Sequence, residues 1–165
     1  FMKKYKFRKY SKKFVNLFEK EKSKLNKLLS SNSKIEHIGS TSVPGFGGKG
    51  IVDILIIANK KNIDKTKKLL VKANYEIMSH VSDLDRTSFK KDYWKLFGKR
   101  RVHLHLTYPN SKTARETINF RENLRKSISL QKRYENLKKK AVKIAKGEGK
   151  IYRKLKENFM KKNSK

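Results

Sequence analysis

An α/β or α+β fold is the class that this 165-residue sequence predicts. Three observations carry it. Helical periodicity opens the chain, β-branched and alternating segments fill the middle with one helical stretch between them, and helical periodicity returns to the end. One domain over residues 1–165 is expected at this length. Apolar residues make up 36%, with 9 Phe and 7 Tyr, enough to build a core.

The elements follow in order. Phe14, Leu17, Phe18, Leu25, Leu28 and Leu29 recur at helical spacing between Lys and Glu, which predicts a helix over 10–31, ended by "SSNS". "KIEHI" (34–38) is a short strand. "GIVDILIIA" (50–58) is a β-branched run that suits a buried strand. A helix is expected around 62–73, with Asp64 near its start, and a further strand at 75–79. Residues 81–101 have hairpin character, with Phe89, Tyr93, Trp94 and Phe97 as aromatic bulk and Gly98 near a turn. "RVHLHLTY" (101–108) alternates: Val102, Leu104 and Leu106 take one face, and His103, His105 and Thr107 take the other. After the turn "YPNS" comes a basic helical tail, 113–165. Ala114, Ile118 and Leu124 mark one helix, and Tyr134, Leu137, Ala141 and Ile144 a second. "KGEGK" breaks it, and Ile151, Tyr152, Leu155 and Phe159 mark a third.

Charge dominates the composition. Forty-five Lys and Arg against 14 Asp and Glu give a formal +31. Residues 1–30 and 121–165 together hold +22 of it. Such a field attracts phosphates, nucleic acid or an anionic surface; Lys-rich helix faces are also simply solvated. No apolar run approaches 18 residues, so no integral membrane segment is expected. "FMKKYKFRKY" lacks the apolar block of a signal peptide, and Phe1 reads as an appended residue before the native Met2. With no cysteine there are no disulfides, in keeping with a cytoplasmic location.

Four groups of residues carry candidate chemistry. Gly39-Ser40-Thr41 can curl its backbone N–H groups into an anion cup, or merely cap a helix. Pro44, Gly45, Gly47 and Gly48 keep the next segment tight, and Lys49 can pair with phosphate. Neither a P-loop nor a GxGxxG pattern is present. Asp53, a lone acid in an apolar strand, is costly unless paired or bound to metal; it is a site carboxylate or a salt-bridge partner of Lys49 or an arginine. His103 and His105 share one strand face. They suit a divalent metal with a nearby carboxylate, acid–base work, or contact with a phosphate, or they form an exposed polar face. Arg86 shares a direction with Ser88 and is an accessory cation beside the cup or plain surface charge.

"EHIGSTSVPGFGGKGIVDI" resembles the signature of the GrpB family, small bacterial proteins with a nucleotidyltransferase-like fold. Glu36, His37, Gly39, Ser40, Thr41, Val43, Pro44, Gly45, Lys49 and Asp53 stand where that signature wants them. "RTSF" (86–89) with Lys91 is similar to its basic-aromatic strand and "HLHL" (103–106) to its histidine strand. "FRENLR" (120–125), Tyr134, Leu137-Lys138, and Tyr152, Lys156 and Phe159 resemble its helical tail. The resemblance covers about residues 8–160. Gly50 stands where the family often has Pro, Phe46-Gly47-Gly48 replaces a more alanine-rich spacer, and His80 falls where an acid is common.

The resemblance implies a nucleotidyltransferase-like mixed sheet flanked by N- and C-terminal helices. The wider superfamily follows its Gly-Ser turn with an Asp-x-Asp strand and a third acid on a later strand, which hold two metals. Here the first acid is Asp53, the second position is Leu55, and the later strand offers His103 and His105. The implied function is binding of a nucleotide or other phosphorylated small molecule, with metal-dependent nucleotidyl or phosphoryl transfer as its extension. The family also occurs fused to dephospho-CoA kinase, which hints at a nucleotide or CoA-like ligand. Asp53, His103 and His105 are the candidate catalytic residues, and Gly39, Ser40, Thr41, Lys49 and Arg86 the phosphate contacts. Asp53 and His105 are the candidate ligands of Mg²⁺ or Mn²⁺. The alternative is a non-catalytic nucleic-acid-binding module that uses the basic helices. A third reading, a purely structural descendant, has no ligand.

Overall fold

A computed structural model describes residues 8–29, 31–95, 98–146 and 148–165. Helix α1 (Lys12–Leu28) starts at Ser11, whose hydroxyl accepts from the Lys13 N–H. Strand β1 (Lys34–Ile38) follows. A single 3-10 turn, Ser40–Ser42, then separates it from β2 (Val52–Ile57). Helix α2 (Ile63–Lys72) leads to β3 (Glu76–Ile77). Strands β4 (Thr87–Lys95) and β5 (Gly98–Thr107) form the long hairpin that the aromatic and alternating pattern suggested. Leu96 and Phe97 lie outside the described residues, as do residues 1–7 of the basic N-terminus. Helices α3 (Lys112–Lys126), α4 (Ile128–Ala145) and α5 (Gly149–Lys162) complete the chain. Ser111 and Ser127 cap α3 and α4 by accepting from Ala114 N and Leu130 N at 3.0 and 3.1 Å.

The five strands form one mixed sheet in the order β1-β2-β5-β4-β3. Only β2 and β5 run parallel; the other neighbours are antiparallel. β3 is shorter than expected because it pairs at only two positions before a 3-10 turn at Ser79–Val81 bends the chain away.

Strand alternation divides the sheet's chemistry. Ile35, Val52, Ile54, Ile56, Phe89, Val102, Leu104 and Leu106 join Phe14, Phe18 and Leu25 of α1 and Leu70 of α2 in the main core. Full burial of each such side chain contributes about 1.5–3 kcal/mol. The opposite parity places Glu36, Asp53, Leu55, Ser88, His103 and His105 on the other face. Arg121 of α3 reaches that face at Glu36. A second core of Val43, Phe46, Phe120, Leu124, Leu130 and Tyr134 ties the segment after the 3-10 turn to the tail helices. Phe46 therefore acts as an anchor rather than a spacer.

Candidate functional site

Gly39 leaves β1 at φ +70 and ψ −171, a conformation that L-residues rarely adopt. The bend faces Asp53: a Cβ on Gly39 would lie 2.6 Å from Asp53 Oδ2. Ser42 Oγ donates to Gly39 O at 2.7 Å, closing the turn. Ser40 lies against Gly48, where any side chain would run into its hydroxyl. Thr41 is 2% exposed and donates to Ile51 O at 3.2 Å, while its oxygen meets His37 Nε2 at 3.0 Å. With the threonine proton committed to Ile51, His37 donates from Nε2 and is neutral. Burial pushes its pKa down to about 4, with the Arg125 and Arg121 charges adding to the effect and Asp53 opposing it. His37 also stacks on Phe18, with ring centroids 4.5 Å apart.

Asp53 stands between Ile38 of β1 and His103 of β5. Its Oδ1 lies 3.3 Å from His103 Nδ1 and 3.6 Å from His105 Nε2. The first is a hydrogen bond; the second is an electrostatic approach. Burial would raise the Asp53 pKa, but the two imidazoles outweigh it and hold the carboxyl well below the usual range. Burial also pushes His105 down, against the pull of Asp53. Ser88 Oγ, which donates to Val81 O at 3.2 Å, lies 3.2 Å from His105 Nδ1 and holds the ring with Nε2 toward Asp53. Ser88–His105–Asp53 has the order of a proton relay, but Ser88 is fully buried, so it orients the ring and does not attack a ligand. Leu55 pairs in register with His105 and is fully buried, so apolar packing occupies the position of a second acid.

Arg86 is turned toward the chain's own acid. Its Nη2 pairs with Asp83 Oδ2 at 3.0 Å, and its Nε is buried with no hydrogen-bond partner. It influences the site through its charge on His105. Phe89 and Lys91 belong to the opposite face: Phe89 is in the core and Lys91 donates to Ala73 O.

The tail helices grip the turn through its carbonyls. Arg121 donates to His37 O at 2.9 Å, Arg125 to Ser42 O at 3.0 Å, and Lys138 to Gly47 O at 2.5 Å. Part of the positive charge is therefore structural. Gly48 is also bridged to Arg8 by a pair of backbone hydrogen bonds. Gly50 has φ +72, which proline cannot adopt. Lys49 Nζ lies 3.7 Å from the Tyr152 ring centroid. Burial, then the Lys156, Arg153 and Lys138 charges, push its pKa down to about 7, against the pull of Asp53.

Gly39, Ser40, Lys49, Asp53, His103 and His105 thus come together. The Thr41 hydroxyl points into the protein, and Arg86 is held by Asp83. Sequence reasoning gave Arg121, Arg125, Lys138, Arg153 and Ser88 no role at the turn or the acid. The tail pattern around Leu137-Lys138 and Tyr152–Lys156 was the available signal for the cations. Among the described residues no group of three His, Cys, Asp or Glu is arranged to hold a metal ion. Among them, too, no helix is long and apolar enough to cross a membrane.

The class these features define is a mixed α+β fold in which a glycine-serine turn after β1 lies against the lone acid of β2, beside a histidine pair on β5. The sequence model of GrpB, described as "GrpB protein", matches residues 4–165, and the chain belongs to that family. The chain is 32% identical over 134 residues to the glutamate-rich protein GrpB of Alkalihalophilus pseudofirmus, covering 79% of this chain and 76% of that one. A UPF0157 protein of Streptomyces coelicolor is 29% identical over 133 residues, 79% of this chain and 66% of its own. The crystal structure of the conserved protein GrpB from Enterococcus faecalis matches at TM-score 0.74 and 27% identity, covering 95% of this chain and 98% of that one. A Cid1 poly(U) polymerase structure aligns more weakly, at TM-score 0.45 and 15% identity over 79% of this chain and 45% of that one. Unlike a glutamate-rich relative, this chain carries only 14 acidic residues.

Proposed function

We propose that this GrpB-family protein binds a nucleotide or related phosphorylated ligand between the Gly39-Ser40 turn and Asp53. The observation that carries the reading is the approach of Asp53 Oδ2 to within 2.6 Å of where a Cβ on Gly39 would stand, beside the His103 and His105 imidazoles. The absence of a side chain at Gly39 lets the bend lie against the ionised acid, and a cation held there would draw a ligand's phosphate to the turn. Gly39 and Ser40 are the phosphate contacts in this reading, Lys49 pairs the charge, and Thr41 holds the turn from inside. Arg86 contributes from a distance. The reading takes the protein to act in the cytoplasm, in keeping with a chain without cysteine.

Transfer chemistry is the extension of this proposal. Asp53, held well below the usual carboxylate range, is then the cation's ligand rather than a strong base, and His103 or His105 the acid–base group. One carboxylate does not make a protein-built Mg²⁺ cage, but Mg²⁺ is commonly held by one or two carboxylates together with ligand phosphates. The imidazoles approach Oδ1, while Oδ2 lies against the Gly39 bend. Asp53, with His105 for the more nitrogen-tolerant Mn²⁺, would hold a cation that neutralises phosphate charge.

A thermal-shift panel of nucleotides, CoA precursors and short RNA, with and without Mg²⁺ or Mn²⁺, tests the proposal. A ligand that binds only the folded state raises the melting temperature. The expected result is a nucleotide-dependent rise that Asp53→Asn abolishes. The rival, nucleic-acid binding, is favoured by the 17 basic and 4 acidic residues of positions 121–165. It predicts RNA binding that Asp53→Asn leaves intact and that falls steeply with salt.

A further inference from the structure

Strands β4 and β5 outrun the rest of the sheet. Among the described residues, β2 pairs with β5 no nearer the hairpin end than Val102, and β3 with β4 no nearer than Lys90. β4 and β5 stay paired out to Lys95 and Gly98, so they form a two-stranded arm. Helix α1 covers one face of it, where the Tyr93 hydroxyl donates to Glu21 at 2.6 Å and Lys24 Nζ lies 4.6 Å from the Tyr93 ring centroid. The opposite parity of the arm carries Asp92 and Trp94 of β4 and Arg101 of β5. Arg101 donates twice to Asp92, at 2.7 and 2.9 Å. Trp94, the chain's single tryptophan, is 76% exposed.

That face is the one that holds Asp53, His103 and His105. Asp53 pairs with His103, and Trp94 pairs with Lys99, four positions along the same strand. The separation is about 13 Å along the strand and two strand spacings of about 5 Å across it. The Asp92–Arg101 pair lies between the two. An indole here adds nothing to the main core, which lies on the other face. Residues 90–101 are also strongly basic, with six Lys and Arg against one acid. Aromatic rings and guanidinium planes set among positive charges are how proteins hold single-stranded nucleic acid, because every base has a π-face. A duplex keeps its bases stacked on one another and withholds those faces. A membrane surface also draws aromatic and basic residues together, but the ion pair beside Trp94 would have to leave water with it, which is costly.

We propose that this face of the β4–β5 arm binds a single-stranded nucleic acid, with one base stacked on Trp94 and the strand running along the sheet toward Asp53. Stacked nucleotides advance about 3.4 Å each along their axis, so roughly three to five of them cover the distance. The Arg101 guanidinium, fixed by Asp92, is the next stacking plane inward. The direction of the strand rests on the phosphate-binding reading of the Gly39–Asp53 cup; the stacking on Trp94 does not. The cations of the tail helices attract a phosphodiester backbone whatever its bases, so dependence on bases separates the arm from the tail.

Fluorescence titration of the full chain with a single-stranded hexaribonucleotide tests the arm, because Trp94 is the only tryptophan and its emission reports stacking directly. Saturable quenching is expected with the hexamer. Neither an abasic oligomer of the same length nor a blunt duplex should quench. Trp94→Ala is expected to weaken binding by about 5- to 150-fold in the fluorescence anisotropy of a labelled hexamer, and Trp94→Phe to restore most of it. The truncated side chain is exposed, so the fold should persist, and circular dichroism checks it. Hexamer binding that Trp94→Ala leaves within about twofold of wild type overturns the proposal, because the tail helices then carry it. Equal quenching by the abasic oligomer overturns it too. So does a blue shift of Trp94 emission on anionic phosphatidylserine vesicles without quenching by the hexamer. If nucleotides raise the melting temperature in an Asp53-dependent way while the hexamer leaves Trp94 unquenched, the arm fails and the cup stands. If the hexamer binds through Trp94 while nucleotides give no Asp53-dependent rise, the cup fails and the arm stands.

Discussion

Gly39→Ala puts one methyl group where the site has no space for it. The new Cβ lies 2.6 Å from Asp53 Oδ2, 3.2 Å from its Cβ and 3.3 Å from its Cγ. Ordinary contact begins at 3.4 Å, so the carboxylate oxygen must retreat by the difference, about 0.8 Å. Strand β2 is held between β1 and β5 at this position, so the side chain moves rather than the strand. That movement strains the 3.3 Å contact with His103, and a hydrogen bond to a charged group contributes about 1.5–3 kcal/mol. The positive φ adds on the order of 1–3 kcal/mol for any L-residue. A net loss of about 2–4 kcal/mol follows once relaxation is allowed for, and each kcal/mol lowers Tm by about 2–4 °C in a domain of this size. The expected fall of roughly 5–15 °C is read by differential scanning fluorimetry and checked by urea denaturation. Nucleotide affinity falls with it. A variant that melts within about 1 °C of wild type and titrates nucleotide unchanged refutes the described contact between turn and acid.

Two further perturbations probe the frame around the site. His37 has a pKa of about 4 when folded against 6.5 as its ordinary value, mainly through burial. The unfolded chain therefore binds more protons between those values, and stability falls as pH drops from 6.5 toward 4, by up to about 3 kcal/mol. Urea denaturation across that window should show the gap between wild type and His37→Gln narrowing with acid; a constant gap contradicts the assignment. Arg121→Ala removes the donor to Glu36 Oε2 at 2.8 Å and to His37 O at 2.9 Å, leaving a half-buried acid with Lys34 as its remaining ion-pair partner. The expected cost is about 3 kcal/mol by urea denaturation, and a cost under about 1 kcal/mol would place this pair with ordinary surface salt bridges.

The sheet was readable because its strands declare themselves. "VDILII" is a continuous apolar run interrupted by one acid, and "RVHLHLT" alternates with period two, so the face shared by Asp53 and the histidines follows from parity. The parallel pairing of β2 with β5, which sets Asp53 opposite His103, was not readable. It joins residues 50 positions apart and depends on the order in which strands assemble. The Gly-Ser turn announced itself through residue type, but the fate of its hydroxyls did not: the Thr41 oxygen turns inward because Ile51 O and His37 need it. The charge was the hardest to interpret. Lys138 and Arg121 look like other tail cations along the chain, and only packing shows that one clasps Gly47 and the other Glu36. Arg86 stood open between an accessory cation and plain surface charge, and only the fold shows that Asp83, three residues earlier, holds it.

The four histidines offer the most direct measurement. His103 and His105 adjoin Asp53, His37 lies beneath the turn, and His80 is exposed in the 3-10 turn Ser79–Val81. Their imidazole signals in a ¹H–¹³C spectrum separate the site from the rest of the molecule. Titration with ATP, with and without Mg²⁺, should shift His103 and His105 together and saturably while His80 stays fixed, and Asp53→Asn should abolish the response. If His103 and His105 do not move at any nucleotide concentration, or move no more than His80, the Gly39–Asp53 cup is not a nucleotide site.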